Sequence, residues 1–237
     1  MDNSIIAHRG WSSRGPENTL YAIELALKEK KIDKIEIDVQ MTKDGIIVLH
    51  HDFELGRTSN GKGLISEYSY EELLKLDFGG WFSADFTGER ILTLKEVLDL
   101  IGNTKDLIIE IKKGGSMYPH IATELCHVLK PYSLKNIYVK SFNHEVVKEV
   151  ADINHKIKTG ILIYGKPVLL KEQMKYAKAS FVSIAYPYIT KELLDHLYQD
   201  KIEVMVWTVD NKKHMEDIKK LDKGIGIITN YPELGFK

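Results

Sequence analysis

From Leu107 onward, β-rich apolar runs begin at Leu107, Asn136, Thr159, Phe181, Glu203 and Gly226, about 22 to 29 residues apart, with an amphipathic helical pattern in each interval. Parallel strands cannot be joined by a tight turn and need a crossover of about a dozen residues or more. The spacing therefore predicts consecutive βα units and a parallel sheet. Two earlier runs complete a set of candidate strands at Ile5–Ala7, Lys34–Gln40, Leu107–Ile111, Asn136–Lys140, Thr159–Ile163, Phe181–Ala185, Glu203–Trp207 and Gly226–Thr229. Helix signals lie between them. Asn18 stands as an N-cap before Leu20, Ile23 and Leu27. Thr93 and Glu96 have capping-box spacing, and Gly102 follows the last apolar position of that segment. Ile121, Leu125, Val128 and Leu129 share a face between Pro119 and Pro131, and further helices read at 143–153, 167–178, 190–199 and 211–221. Eight strands, each followed by a helix, in 237 residues predict a closed (β/α)8 barrel. An open doubly wound sheet is the alternative.

One stretch breaks the rhythm. Residues 41–92 hold a hairpin strand (Ile46–Leu49), turns at Gly61 and Gly63, a short helix near Glu71–Leu76 and an aromatic loop, Phe78–Phe86. This reads as an insertion at the active-site end of a single domain spanning 1–237, too short and too polar for a second core.

Composition excludes several function classes. Apolar residues at 43% and charged residues at 28% are those of a soluble globular protein. Thirty-three Lys and Arg against 34 Asp and Glu leave a net charge of −1, which gives no support for nucleic acid or an anionic membrane as partner. Cys126 is the lone cysteine, so neither a disulfide nor a CxxC clamp is expected. No run approaches the roughly 20 apolar residues of a membrane span. MDNSIIAHRG carries an acid and only a short apolar run, unlike a secretory signal. A soluble cytoplasmic protein without membrane insertion is the expectation.

Strands of a parallel barrel should be nearly continuous apolar runs, because both faces are covered. Two are not. In IEIDV, Glu36 and Asp38 point to one side and Ile35, Ile37 and Val39 to the other; in LIIEIK, Glu110 and Lys112 share a side. Three carboxylates in a low-dielectric barrel repel one another and lose hydration unless a cation compensates. A hard divalent ion, Ca²⁺ or Mg²⁺, fits oxygen ligands. Half-exposed strands with acids facing water are the plainer reading of the same pattern. The first strand ends in AHRG, with His8 and Arg9 where a barrel places working residues. The hairpin ends in LHHD, and if Leu49 faces the core, alternation turns His50 outward and His51 inward. His120, His127, His144, His155, His196 and His214 read as packing or surface residues. Two histidines suit acid–base work near neutral pH, and an arginine fork suits phosphate.

AHRGWSSRGPENTLYAI, IEIDVQMTKDGIIVLHHDFELGRTSNGKG, ILTLKEVLDL, LIIEIK, SFN, VMVWTVD and GIITNYP run in that order from residue 7 to 232. Together they resemble the signature blocks of the glycerophosphodiester phosphodiesterase family. The resemblance implies a TIM barrel with a small inserted segment, hydrolysing glycerophosphodiesters to glycerol 3-phosphate and an alcohol. It implies His8 and His51 as the catalytic pair, Glu36, Asp38 and Glu110 as metal ligands, Arg9 at the phosphate, and Lys112 beside it. It also implies a substrate-side role for Trp207 and, more weakly, Phe142, although barrel packing would account for Trp207 equally. Glu17 and Asn18 fall in the family's PENT box, Pro16 to Thr19, where helix capping is the plainer explanation. The family pattern further suggests that the substrate's neighbouring glycerol hydroxyl, not water, attacks phosphorus first. Three positions depart from it: Asn230 and Ile225 replace aspartates, and Leu92 replaces a proline. They touch neither the histidines nor the carboxylates.

Three other readings compete. A Schiff-base barrel on Lys112 or Lys140 would leave the inward carboxylates unexplained. A non-catalytic phosphate-binding barrel would be expected to have lost a histidine or an acid. Cleavage of lysophospholipids at the same site, in the manner of a lysophospholipase D, would use Phe78, Trp81, Phe82 and Phe86 against an acyl chain, where packing of the insert is the commoner use of such residues.

Overall fold

The computed structural model describes residues 2–114 and 116–236. Its strands are β1 (Ile5–His8), β2 (Lys34–Met41), β3 (Ile47–Leu49), β4 (Asp106–Ile111), β5 (Ile137–Ser141), β6 (Lys158–Ile163), β7 (Phe181–Ala185), β8 (Glu203–Trp207) and β9 (Gly226–Thr229). Its helices are α1 (Leu20–Lys28), α2 (Tyr70–Leu73), α3 (Leu94–Ile101), α4 (Ile121–Leu129), α5 (His144–Ile153), α6 (Leu170–Ala177), α7 (Lys191–Gln199) and α8 (Lys212–Leu221). The strand order β1-β9-β8-β7-β6-β5-β4-β2 closes through a parallel β1–β2 pairing, so the sheet is a closed eight-stranded parallel barrel and not an open sheet. β3 is a ninth strand, antiparallel to β2 with Val39 opposite Leu49. After β9, among the described residues, a single 3-10 turn (Pro232–Gly235) stands where the sequence rule expects a helix. It packs close to β1: a Cβ on Gly235 would lie 2.5 Å from the Ile5 side chain.

Alternation along the strands sorts the core into two layers. Ile35, Ile37, Val39, Ile109 and Ile111 face outward into the layer beneath the helices. Ile6, Ile108, Tyr138, Phe181, Met205 and Ile228 form a separate buried cluster inside the barrel. The Phe181 ring fits only because residue 160 is glycine; a Cβ there would stand 2.3 Å from it. This apolar plug is the floor on which the next inward layer, towards the strands' C-terminal ends, is polar.

Two local expectations need correction. The N-cap of α1 is Thr19, whose hydroxyl accepts from the Ala22 N–H, and not Asn18, which has a left-handed backbone (φ 57) and bonds elsewhere. The insert does carry a small core, in which Val48, Leu55, Ile65, Leu73, Phe78 and Ile91 are buried together. Apart from Val48 on β3, these residues come from loops and single turns without a common period, so no pattern announces them. The capping box at Thr93 and Glu96 forms as expected. The aromatic loop runs as an edge-to-face chain onto α1: Trp81–Phe82 at 5.6 Å, Phe82–Phe86 at 5.4 Å and Tyr21–Phe86 at 4.8 Å.

Candidate active site

Register brings the polar layer together. His8 is paired across from Glu36, Asp38 from Glu110, and Glu110 from Lys140. Glu36, Asp38 and Glu110 each offer an oxygen within 4.8 Å of the others, and all three are buried. The chain already interleaves cations among them. Lys112 Nζ donates to Glu110 at 2.5 Å and lies 3.2 Å from Asp38; Lys140 Nζ lies 3.0 Å from Glu36 and 3.8 Å from Glu110; Arg9 Nε lies 3.1 Å from Asp38. The premise that these acids lack compensation without an ion is therefore corrected. What points to an ion is directional. Glu36 Oε1 and Asp38 Oδ1 are buried and, although 3.0 Å from Lys140 Nζ and 3.2 Å from Lys112 Nζ, accept no aligned hydrogen bond. Burial alone would raise the Asp38 carboxyl, but Lys112 and Arg9 hold it well below its ordinary value. Lys112 is raised, its burial outweighed by Asp38 and Glu110.

Asn18 and Glu17 serve this layer more than the helix. Asn18 donates to Asp38 Oδ2 at 3.0 Å and accepts from the Asp38 N–H at 3.2 Å. Glu17 accepts from Arg9 at 2.7 Å and from both terminal nitrogens of Arg57, at 2.9 and 2.7 Å. Arg57 also donates to Asp52 at 2.5 Å, and Asp52 accepts from His51 Nδ1 at 2.6 Å. Burial would raise Asp52, but its bonds to Arg57 and His51 bring it down to about 2, an anion at neutral pH. A carboxylate only accepts, so His51 Nδ1 carries its proton there and Nε2 is left for chemistry.

His8 ends β1 with Nδ1 2.8 Å from Asn230 Oδ1 and Nε2 3.9 Å from Glu36. Burial, reinforced by Arg9, pushes it down to about 3, so its imidazole is neutral. His51 lines an open cavity of about 660 Å³ with Asp52, Arg57, Glu110, Lys112 and Phe142. His51 thus reaches the cavity, but the reason differs from strand alternation. β3 stops at Leu49, and His50 is not exposed: it is buried beneath the insert, 5.9 Å edge-to-face from Phe78. Its ring bonds the Asp52 carbonyl at 2.7 Å and Thr58 Oγ1 at 3.0 Å.

His50→Ala is accordingly expected to leave kcat within a few-fold and to destabilise the fold by about 1–3 kcal/mol, the usual cost of a lost buried partner. Burial lowers the pKa of His50. A base so depressed stays neutral while the unfolded chain takes up a proton below about pH 6.5, so stability falls as pH falls below that value. Melting temperatures at descending pH should decline less steeply in the variant. An unchanged slope with unchanged stability would remove His50 as a tie.

Trp207 lies at the end of β8, on top of the interior apolar cluster, its Nε1 donating to the Ser183 carbonyl at 3.1 Å. Phe142 meets it edge-on at 5.5 Å and is half exposed at the rim. Tyr164, 6.1 Å from Trp207, and Tyr188, 5.6 Å from Tyr164, extend this aromatic wall; the sequence patterns do not reveal either. Phe78, Trp81, Phe82 and Phe86 do not line the cavity. No helix among the described residues is long and apolar enough to cross a membrane.

A model of the glycerophosphoryl diester phosphodiesterase family matches residues 8–234. A glycerophosphodiester phosphodiesterase of Caldanaerobacter subterraneus subsp. tengcongensis is 39% identical over 236 residues, 98% of this chain and 96% of that protein. One from Bacillus altitudinis is 32% identical over 240 residues, with coverage of 98% and 96%. Among solved structures, an Oleispira antarctica phosphodiesterase in complex with the product sn-glycerol-3-phosphate superposes with a TM-score of 0.91 at 26% identity, covering 98% of this chain and 94% of that one. The chain belongs to the glycerophosphoryl diester phosphodiesterase family of hydrolytic enzymes.

Proposed function

We propose that the chain hydrolyses glycerophosphodiesters to glycerol 3-phosphate and an alcohol, with a divalent cation, Ca²⁺ or Mg²⁺, held by Glu36, Asp38 and Glu110 and with His8 and His51 moving the protons. The observation that carries this reading is the buried carboxylate trio within 4.8 Å, two of whose oxygens accept no aligned hydrogen bond, with an imidazole close by. The product in the Oleispira antarctica structure supports the substrate class. The chemistry a cation supplies at such a trio is polarisation of a phosphoryl oxygen. Arg9 and Lys112, both held charged by the carboxylates, stand where negative charge would grow at phosphorus. One imidazole, neutral, takes the proton of the attacking hydroxyl at Nε2; the other, entering the step as imidazolium, gives its Nε2 proton to the departing alkoxide. Trp207 and Phe142, packed edge-to-face at 5.5 Å, would flank the organic part of the substrate. Of the insert aromatics that an acyl chain would need, Phe86 packs on Tyr21 of α1, Phe82 on Phe86 and Trp81 on Phe82, away from the cavity.

Turnover of glycerophosphocholine, glycerophosphoethanolamine, glycerophosphoinositol and a lysophospholipid, each with Ca²⁺ or Mg²⁺, tests the reading. Release of glycerol 3-phosphate from the first three is the expected result; turnover of the lysophospholipid alone overturns it. The attacking group has its own test. A well-placed neighbouring hydroxyl reaches effective molarities of roughly 10⁵–10⁸ M, which a separate water cannot match. The 2-deoxy analogue should therefore bind comparably and turn over at least about a hundredfold more slowly, a barrier difference of about 2.7 kcal/mol. Equal kcat for the two would mean direct attack by water.

A further inference from the structure

We propose that Asn230, backed by Asp210, is a positioning residue that locks His8 in the tautomer with the proton on Nδ1 and so keeps Nε2 free to face the carboxylates. The inference rests on the reading of His8 as a proton-transfer group. It concerns what sets that group's reactive nitrogen.

Asp210 fixes the start of the chain. One of its oxygens, Oδ1, accepts from the Asn230 N–H at 2.8 Å and from Thr229 Oγ1 at 3.0 Å; the other, Oδ2, lies 2.6 Å from Asn230 Nδ2. A carboxylate has no proton to give, so only the amide nitrogen of Asn230 can face it. The amide orientation is thereby decided by chemistry, where density or distance alone often leaves it open. Asn230 Oδ1 must then face His8 Nδ1, at 2.8 Å. An amide oxygen also only accepts, so Nδ1 must donate. The hydroxyl of Ser12, 2.8 Å from both Asn230 Oδ1 and the His8 carbonyl, can serve either and opposes neither.

The lock acts against a competing pull. His8 Nε2 lies 3.9 Å from Glu36 Oε2, a buried carboxylate oxygen that would draw an imidazole proton to that side. With the proton on Nε2, the ring could not take one there. His51 needs no such relay, because Asp52 bonds its Nδ1 directly at 2.6 Å. The two histidines thus present the same nitrogen by different means, one through a carboxylate and the other through an amide that a carboxylate orients.

Asp210→Asn tests the relay two hydrogen bonds away from the ring. The new amide oxygen can still accept from the Asn230 N–H and Thr229, which places the new NH₂ against Asn230 Nδ2. Two donors cannot face each other, so the Asn230 amide turns over, its Nδ2 meets His8 Nδ1, and the ring proton moves to Nε2. The tautomer is read by two-bond ¹⁵N–¹H correlation NMR of histidine-labelled, metal-free protein at about pH 8, above the ordinary histidine pKa of about 6.5. Wild type should show His8 protonated at Nδ1 and Asp210→Asn at Nε2, with kcat down at least about tenfold and KM within about twofold. Exchange of the pair, Asn230→Asp with Asp210→Asn, restores an acceptor facing His8 and should recover the Nδ1 pattern and most of kcat. A wild-type His8 protonated at Nε2 overturns the proposal, as does an Asp210→Asn variant that keeps the Nδ1 pattern. Loss of kcat in the exchanged pair despite a recovered Nδ1 pattern also overturns it. If wild type turns over no glycerophosphodiester while the NMR patterns follow this order, the functional reading fails and the relay stands.

Discussion

His8→Ala and His51→Ala are each expected to lower kcat by on the order of 10²–10⁴, the usual worth of a positioned acid or base. Neither should unfold the barrel. His51 sits at the cavity with its side chain about a third exposed, and His8 ends its strand above the interior plug. The double variant should cost far less than the product of the two, because groups acting on one proton path fail together. The contrast with His50 makes the experiment discriminating. His50 and His51 are neighbours in the chain, yet one bonds Thr58 under the insert and the other opens onto Glu110 and Lys112. Steady-state kinetics of the three alanine variants, with melting temperatures beside them, should divide them cleanly. His51 loses rate with little stability, His8, which is buried, loses rate together with some stability, and His50 loses stability with little rate. An active His51→Ala variant beside an inactive His50→Ala variant would reverse the assignment.

The barrel and its acid trio were legible because both rest on short-range periodicity. Six strand starts at near-constant spacing demand parallel crossovers, and Glu36 and Asp38 interrupt an otherwise apolar strand at period two. Closure, His8 beside Glu36 and Asp38 beside Glu110 follow from strand register once the barrel is granted. What was not legible depends on contacts that no period links. Lys140 sits one strand over from Glu110, and its Nζ among the acids shows only when β4 and β5 are set in register. Asp210 meets Asn230 because β8 and β9 end side by side, and Arg57 reaches Glu17 from within an irregular insert. Thr19 and Asn18 show a subtler failure. Both are good caps, and tertiary bonds to Asp38 decide that Asn18 turns inward while its neighbour caps the helix. His50 was misplaced because alternation was carried past the last residue of β3 into a bend, where it has no force.

Chelation is expected to abolish turnover, and Ca²⁺ or Mg²⁺ to restore it. The charge count of the site sharpens this into a thermodynamic prediction. Without an ion, three carboxylates face three cations, Arg9, Lys112 and Lys140, at 2.5–3.8 Å, so the metal-free barrel is internally balanced. Glu110→Gln should therefore not stabilise the metal-free protein by relieving repulsion; it strips Lys112 of its partner at 2.5 Å and should lower the melting temperature. The same variant should bind the ion more weakly. For wild type, cation at about a hundredfold its Kd should add about 2.7 kcal/mol of stability, visible as a shift in melting temperature without any assay of activity. Adding two positive charges to a balanced cluster leaves an excess that an anionic phosphoryl group would offset. Cation and glycerol 3-phosphate should then bind cooperatively, each tightening the other by the same factor, about 5–150-fold for a coupling of 1–3 kcal/mol. Calorimetric titration of the ion with and without glycerol 3-phosphate measures that factor directly. Undiminished turnover after exhaustive chelation, with no metal left by elemental analysis, would remove the cation from the mechanism. The carboxylate trio would then serve only to hold Arg9, Lys112 and Lys140 against the phosphate.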